Sequence, residues 1–183
     1  YAFKSLYADL WDLPEEGWEQ WKDIAFDDEY VPLFLLAAGG SVALRSSEAD
    51  DRIADHFDRD PVLSSNEFVD EFIDLAGNPG MHFSAAGLWY LASASAGDRF
   101  NQERSWAMIR ALSITGATTL GLKAIVDDET PNGKKWAWPS GHTSSSFTAA
   151  AVIHEFYGPE AGILAYLGAS VVGWRMMDSG DHW

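Results

Sequence analysis

Residues 139–156 read PSGHTSSSFTAAAVIHEF, a tight polar turn that runs directly into a helix-compatible stretch. Pro139 fixes the entry to this turn, and Gly141 lets the backbone approach a ligand closely. The N–H groups at a helix start point toward negative charge, Ser140 adds a hydroxyl donor, and His142 exchanges protons near neutral pH. The pattern fits an anion-binding site at the start of a helix, although four such residues alone are more often a structural turn.

Cationic residues flank this turn on both sides. Lys123 lies upstream and is followed by six residues and then Thr130-Pro131. Downstream, Arg175 precedes His182 by six residues. Lysine, arginine, histidine and helix N–H groups together suit a tetrahedral oxyanion. Because the sequence shows no Asp-rich or Cys/His metal motif, it favours phosphoryl transfer without a metal.

Helical spacing of apolar residues is common along the chain and strand alternation is scarce, so we predict an all-α fold. Pro14 is expected to open the first helix and Asn66 to cap another, while Asp98 or Asn101 starts a long helix that reaches Lys123. The remaining expected helices cover 31–45, interrupted by two glycines, 47–57, about 85–96, 142–156 and 160–176. We predict one helical domain over 1–183.

The composition limits the classes of partner. The formal net charge of -16 disfavours binding to nucleic acid, and 47% hydrophobic residues argue against disorder. The chain has no cysteine, which excludes disulfides and thiolate chemistry. The longest uncharged stretch, residues 75–97, is rich in Gly, Ala and Ser. A soluble domain is therefore favoured, and membrane association stays an open alternative.

The three segments together resemble the type 2 phosphatidic acid phosphatase superfamily. That superfamily carries Lys-x6-Arg-Pro, then Pro-Ser-Gly-His, then Ser-Arg-x5-His-x3-Asp, and includes acid phosphatases, lipid phosphatases and vanadium haloperoxidases. The resemblance covers residues 115–183, and the middle motif matches in full. It implies a compact multi-helix bundle of the acid phosphatase type with the site at one end.

The resemblance also implies a role for each matching residue. His182 attacks phosphorus and forms a phosphohistidine, while His142 protonates the leaving alcohol and then activates water. Lys123 and Arg175 bind the non-bridging oxygens, and Ser140 and the Gly141 N–H stabilise the developing charge. No metal and no other cofactor is implied for the phosphatase.

This sequence departs from the family pattern in two of the three motifs. Thr130 stands where the family has arginine, and Lys134 or Lys135 could supply the missing charge, although both also fit solvated loop lysines. Trp174 replaces the serine before Arg175, and the spacer to His182 is one residue longer. The family's aspartate, four positions after the nucleophilic histidine, falls beyond Trp183, so we expect the sequence to be truncated at its C-terminus.

The sequence therefore predicts a metal-independent phosphomonoesterase that acts on a lipid phosphate or a soluble phosphomonoester. A vanadium-dependent haloperoxidase, with vanadate as its cofactor, is one alternative, although its spacer between lysine and Arg-Pro is generally longer. A degenerate, non-catalytic phosphate-binding module is another. An extracytoplasmic location, in a bacterial periplasm or at a membrane, is implied by the family alone.

Overall fold

A computed structural model describes residues 2–28, 30–59, 61–63, 65–130 and 132–182. The predicted all-α fold is confirmed, because the described chain forms seven packed helices and its only β pairing is an isolated bridge between Glu129 and Lys135. In chain order, the helices are α1 (Ala2–Phe26), α2 (Val31–Ser46), α3 (Ala49–Arg59), α4 (Glu67–Gly77), α5 (Pro79–Ala96), α6 (Arg99–Val126) and α7 (Gly141–Asp178).

Helices α5, α6 and α7 form the centre of the fold, with α6 packed between the other two. The core is built around Tyr90, which is completely buried and stacks edge-on against Trp106. The Tyr90 hydroxyl accepts a hydrogen bond from Gln102 Nε2 at 2.9 Å and contacts Asp9 of α1. Alanines and medium-sized apolar side chains complete this core cluster, namely Ala2, Ala86, Ala94, Met108, Ile109 and Leu112.

Several helix ends agree with the sequence predictions. Asn66 caps α4 by accepting from the Val69 N–H, and Asp98 caps α6 by accepting from the Asn101 N–H. The expected break before Pro159 is also present, since Gly158 has a non-helical φ of 80° within α7. Side chains that satisfy the first free N–H groups of a helix explain why these starts could be located from sequence.

Two helices differ from the prediction. Pro14 lies inside α1 rather than at its start, because Ala2 and Leu6 pack on the core cluster and hold the preceding turns in place. The Gly39-Gly40 pair does not interrupt α2, which runs without a break. Leu35 and Leu36 of α2 are largely exposed.

Helix α4 lies against α7 with its polar face inward. Phe68, Phe72 and Leu75 share one face of α4, and that face is exposed. The opposite face carries Asp70 and Asp74, which contact Arg175 of α7. Charge pairing, and not apolar burial alone, therefore holds α4 on α7.

The close approach of α4 to α7 depends on a residue without a side chain. A Cβ on Gly77 would overlap the stiff side chain of Val172, and the Gly77 carbonyl accepts a hydrogen bond from Ser145 Oγ at 3.2 Å. Both partners lie on α7. Gly77 thus fixes the distance at which Asp70 and Asp74 meet α7.

Replacing Gly77 with alanine should separate α4 from α7. Overpacking of this kind typically costs about 1–3 kcal/mol, so we expect Gly77→Ala to lower the free energy of unfolding in urea by about that amount. Gly87→Ala is the matched control, because a Cβ there meets nothing within 4 Å and helix propensity should raise stability by roughly 0.5–1 kcal/mol. Equal effects of the two substitutions would contradict this account of the α4–α7 contact.

Candidate functional site

The Pro-Ser-Gly-His turn forms the start of α7, as its residue types predict. Ser140 is the N-cap, and its buried hydroxyl oxygen accepts from the Thr143 N–H at 3.3 Å. Gly141 is the first residue of the helix, and a Cβ there would lie 3.7 Å from Pro79 Cγ of α5. The Ser140 side chain and carbonyl take up the N–H groups of Thr143 and Ser144. The N–H groups of Gly141 and His142 have no intrahelical acceptor, so they remain donors for a ligand.

His142 lies in the first turn of α7 beside a carboxylate of α4. Its Nε2 atom is buried and lies 3.5 Å from Asp74 Oδ1, close enough for an ion pair but without a hydrogen bond. Burial lowers the pKa of His142, and the charge of Asp74 opposes that effect. The ring is therefore placed to exchange a proton, with a nearby anion that favours its charged form.

Arg175, near the end of α7, is held by three carboxylates. Its Nε and Nη2 atoms donate to the two oxygens of Asp70 at 2.7 and 3.0 Å, a bidentate pair. Its Nη1 atom donates to Asp74 Oδ1 at 2.8 Å and to Asp181 Oδ2 at 3.1 Å. Burial alone would lower the pKa of Arg175, but these hydrogen bonds and charges raise it.

This arrangement limits what Arg175 can offer a ligand. A guanidinium has five N–H donors, and four of them already bind carboxylate oxygens. The side chain is only 8% exposed. An incoming anion can therefore accept a hydrogen bond from only one N–H of Arg175, unless it displaces a carboxylate.

His182 is oriented by the loop that precedes α7. Its Nδ1 atom lies 2.5 Å from the carbonyl oxygen of Ala137, which can only accept, so we assign the proton to Nδ1. The Nε2 atom of the neutral ring then carries a free lone pair. Burial lowers the pKa of His182, while the Ala137 carbonyl opposes this, so the neutral form is favoured near pH 7.

Lys123 extends from the last turn of α6 to the same loop. It is buried, its Nζ atom donates to the carbonyl oxygen of Trp136, and burial lowers its pKa. An ammonium has three donors, so two remain without a hydrogen bond among the described residues. Lys123 and His182 thus bind the carbonyls of consecutive residues, Trp136 and Ala137.

Thr130, at the position where the superfamily that the sequence resembles has arginine, closes the turn of this loop. Its buried hydroxyl donates to Asn132 Oδ1 at 2.6 Å and accepts from the Lys134 N–H at 2.7 Å. Its backbone N–H donates to the Lys134 carbonyl at 2.8 Å. Thr130 is therefore engaged within the loop and brings no charge, and its sequence neighbour Pro131 lies outside the described residues.

The two candidate lysines of this loop differ in their contacts. Lys134 is largely exposed, and its Nζ atom pairs with Asp181 Oδ1 at 2.9 Å. Lys135 is exposed, and its backbone forms the bridge to Glu129. Lys134 is thus linked to Arg175 through Asp181, whereas the Lys135 side chain makes no contact with the site among the residues that the structure describes.

The two aspartates that precede His182 are both engaged. Asp178 is buried and accepts from the backbone N–H groups of Val62 and Leu63 at 2.8 and 2.9 Å. Asp181 faces Arg175 and also accepts from Lys134, Ser179 and Asn132. Asp181 therefore points into the charged cluster, whereas Asp178 binds the backbone of residues 62–63.

The structure brings the predicted residues together at one end of the bundle. His142 lies within electrostatic range of Lys123, Arg175 and His182. Ser140 and Gly141 immediately precede His142 in the turn. Among the residues that the structure describes, no group of three or more His, Cys, Asp or Glu side chains is arranged to hold a metal ion.

Three residues in this region were missed by sequence reasoning. Asp70 and Asp74 lie about a hundred residues before Arg175, although their spacing of four does place them on one helix face. The third is His82, in the first turn of α5. It lies within electrostatic range of His142, and burial lowers its pKa.

Comparison with known proteins adds no relative. No protein-family model, no curated protein and no solved structure matches the chain.

Protonation of Asp181 should loosen the charged cluster. Burial would raise the pKa of Asp181, but its hydrogen bonds to Lys134, Ser179 and Asn132 lower it to about 2. A carboxyl group whose pKa is lower in the folded than in the unfolded protein stabilises the fold at pH values above the ordinary pKa of aspartate. This contribution to stability is lost as the pH falls through about 2. We expect wild type to lose about 2 kcal/mol more of its free energy of unfolding than Asp181→Asn between pH 5 and pH 2.

Urea unfolding across this pH range measures the difference. Asp55→Asn is the control, because its exposed pair with Arg59, at 3.7 Å, should contribute less than about 0.5 kcal/mol. Parallel stability curves for wild type and Asp181→Asn would contradict the assigned cluster.

Proposed function

We propose that the protein is a metal-independent phosphomonoesterase that acts through a phosphohistidine on His182. The observation that carries this proposal is the hydrogen bond between His182 Nδ1 and the Ala137 carbonyl, which leaves Nε2 as a nucleophile. Lys123 and His142 lie within electrostatic range of the His182 ring, and Arg175 lies within electrostatic range of His142, so two cations and a proton donor are available near the nucleophile. The three-part resemblance to the phosphatidic acid phosphatase superfamily points to the same chemistry.

In the first step, the lone pair of His182 Nε2 attacks phosphorus and the bond from phosphorus to the ester oxygen breaks. Protonated His142 gives its proton to that oxygen, so the product leaves as a neutral alcohol. The result is a phosphohistidine at His182 and a neutral ring at His142. The Ala137 carbonyl stabilises the positive charge that the His182 ring gains in this step.

In the second step, neutral His142 takes a proton from water while the water oxygen attacks phosphorus. The N–P bond breaks, its electron pair returns to His182 Nε2, and inorganic phosphate leaves. His142 is then protonated and His182 is free, so both residues are ready for another cycle.

Charge on the transferred phosphoryl oxygens is balanced by fixed donors. Lys123 offers two N–H groups, Arg175 offers one, and the first N–H groups of α7 add a helix-start contribution. The Ser140 hydroxyl caps α7 as an acceptor, so its own proton is available for a substrate oxygen. These donors lie on different elements but meet at the start of α7.

A non-catalytic phosphate-binding module is the second candidate, and the environment of Arg175 favours it. Three carboxylates occupy four of its donors, and Thr130 supplies no charge where the family has arginine. Such a site could hold phosphate weakly without turning over an ester.

The exterior of the bundle bears on the substrate class. Among the described helices, only α6 is long and apolar enough to cross a membrane, a property that core helices of soluble proteins share. Phe68 and Phe72 of α4 and Trp174 of α7 are exposed on the helices that carry Asp70 and Arg175. These side chains favour a lipid phosphate, handled at a membrane surface, as the substrate, while an extracytoplasmic compartment is implied by the resemblance alone.

The catalytic prediction is tested on the full-length natural protein with a small aryl phosphate in excess EDTA. We expect phosphate release that vanadate inhibits and that His182→Ala lowers by at least about 10³-fold, because the nucleophile is lost. His154→Ala is the matched control, since this exposed histidine of α7 packs on Tyr166 away from the site and should keep normal activity. Acid quenching during turnover should trap phosphate on His182.

The outcomes separate the candidate functions. Phosphate binding without release by a folded protein would favour the non-catalytic module. Oxidation of halide that needs both peroxide and vanadate would favour the haloperoxidase instead.

The substrate class requires a separate comparison. If the exposed aromatic side chains contact lipid, kcat/KM for a long-chain phosphatidic acid in mixed micelles should exceed that for a soluble short-chain analogue by about tenfold or more. Phe68→Ser and Phe72→Ser together should remove most of this preference and leave hydrolysis of the aryl phosphate unchanged. Equal rates on both lipids would point to a soluble phosphomonoester.

A further inference from the structure

One oxygen of Asp74 lies between the Arg175 guanidinium and the His142 imidazole. Asp74 Oδ1 accepts from Arg175 Nη1 at 2.8 Å and lies 3.5 Å from His142 Nε2. The Arg175 bond orients this carboxylate, so its charge is held at a fixed place beside the imidazole. A helix far from the motifs in sequence thus reaches the residue to which the mechanism assigns the proton.

Asp70 provides a natural comparison within the same helix. It also binds Arg175, through two hydrogen bonds, but it has no contact with His142 among the described residues. The two aspartates are one helical turn apart and share a face of α4. They therefore differ in one respect that matters for the chemistry, which is the approach of Asp74 to His142.

We propose that Asp74 is a positioning residue for His142, which holds the imidazole toward the leaving-group oxygen and favours its protonated form. This inference rests on the phosphatase function proposed above. It assigns to α4, which carries none of the family motifs, a part in the proton transfer.

The other charged groups around His142 show why such a residue is needed. Burial disfavours a positive charge on His142. So do four neighbouring groups, namely Lys123 of α6, Arg175 of α7, His182 of the C-terminal segment and His82 of α5. Asp181 and Asp74 oppose them, and Asp181 is shared with Lys134 as well as Arg175. Of the two carboxylates, Asp74 opposes the effect of burial on the pKa of His142 more strongly.

The direct test is an NMR titration of His142 in the free protein with labelled histidine, which needs no catalytic activity. Asp74→Asn should lower the pKa of His142, because the neutral amide no longer favours the imidazolium. Asp70→Asn should leave the pKa of His142 close to that of wild type. Asp74→Ser removes the same charge with a smaller side chain and serves if the asparagine variant does not fold.

A kinetic test uses the leaving group. An alkyl phosphate needs protonation of its leaving oxygen more than an aryl phosphate does, so Asp74→Asn should lower kcat for the alkyl ester about tenfold more than for the aryl ester. In the pH profile of kcat/KM for Asp74→Asn, the alkaline limb should also move to lower pH. Asp70→Asn acts only through Arg175, so it should affect both esters equally and leave that limb in place.

These outcomes distinguish the inference from the function on which it rests. An active phosphatase in which Asp74→Asn changes neither the pKa of His142 nor the leaving-group dependence overturns the role of Asp74 and leaves the function standing. A lowered pKa in Asp74→Asn, in a protein that hydrolyses no phosphomonoester, supports the contact and overturns the catalytic function.

Discussion

The buried guanidinium of Arg175 holds the site together. Its hydrogen bonds reach Asp70 and Asp74 on α4 and Asp181 in the C-terminal segment, so one side chain joins three parts of the chain. A buried charge is tolerated only when its partners are well placed, and removing one partner from such a group is strongly destabilising. The positions of α4 and of the segment that carries His182 therefore both depend on Arg175.

The loop before α7 is the second constraint, because consecutive carbonyls of that loop orient Lys123 and His182. Trp136, whose carbonyl binds Lys123, has a φ of 67°, a left-handed conformation that non-glycine residues adopt at a cost of about 1–3 kcal/mol. Ala137 is almost fully buried and its N–H donates to the Asp128 carbonyl. A strained but well-anchored loop is suited to holding two polar side chains in fixed directions.

Sequence reasoning located what depends on local chemistry. The caps at Asn66 and Asp98 and the turn at Ser140 use side chains that bind their own backbone, so short patterns reveal them. The placement of α4 against α7 depends instead on the missing Cβ of Gly77 and on carboxylates about a hundred residues from Arg175. No local pattern encodes such contacts, so Asp70 and Asp74 were missed. The fold class could still be predicted, because it follows from the local helical spacing of apolar residues.

The charges of the site bear on how a phosphate could bind to a protein with a formal net charge of -16. The cluster contains three carboxylates and three cations, so its net charge is close to zero while the histidines are uncharged. The carboxylates are Asp70, Asp74 and Asp181, and the cations are Arg175, Lys134 and Lys123. Attraction must then come from donors at short range, since the field of the whole chain repels an anion. Lys123 and the start of α7 are the groups whose donors are not taken up by carboxylates. A phosphate held there would lie beside His142 and His182, and Arg175 would contribute mainly by fixing the carboxylates around them.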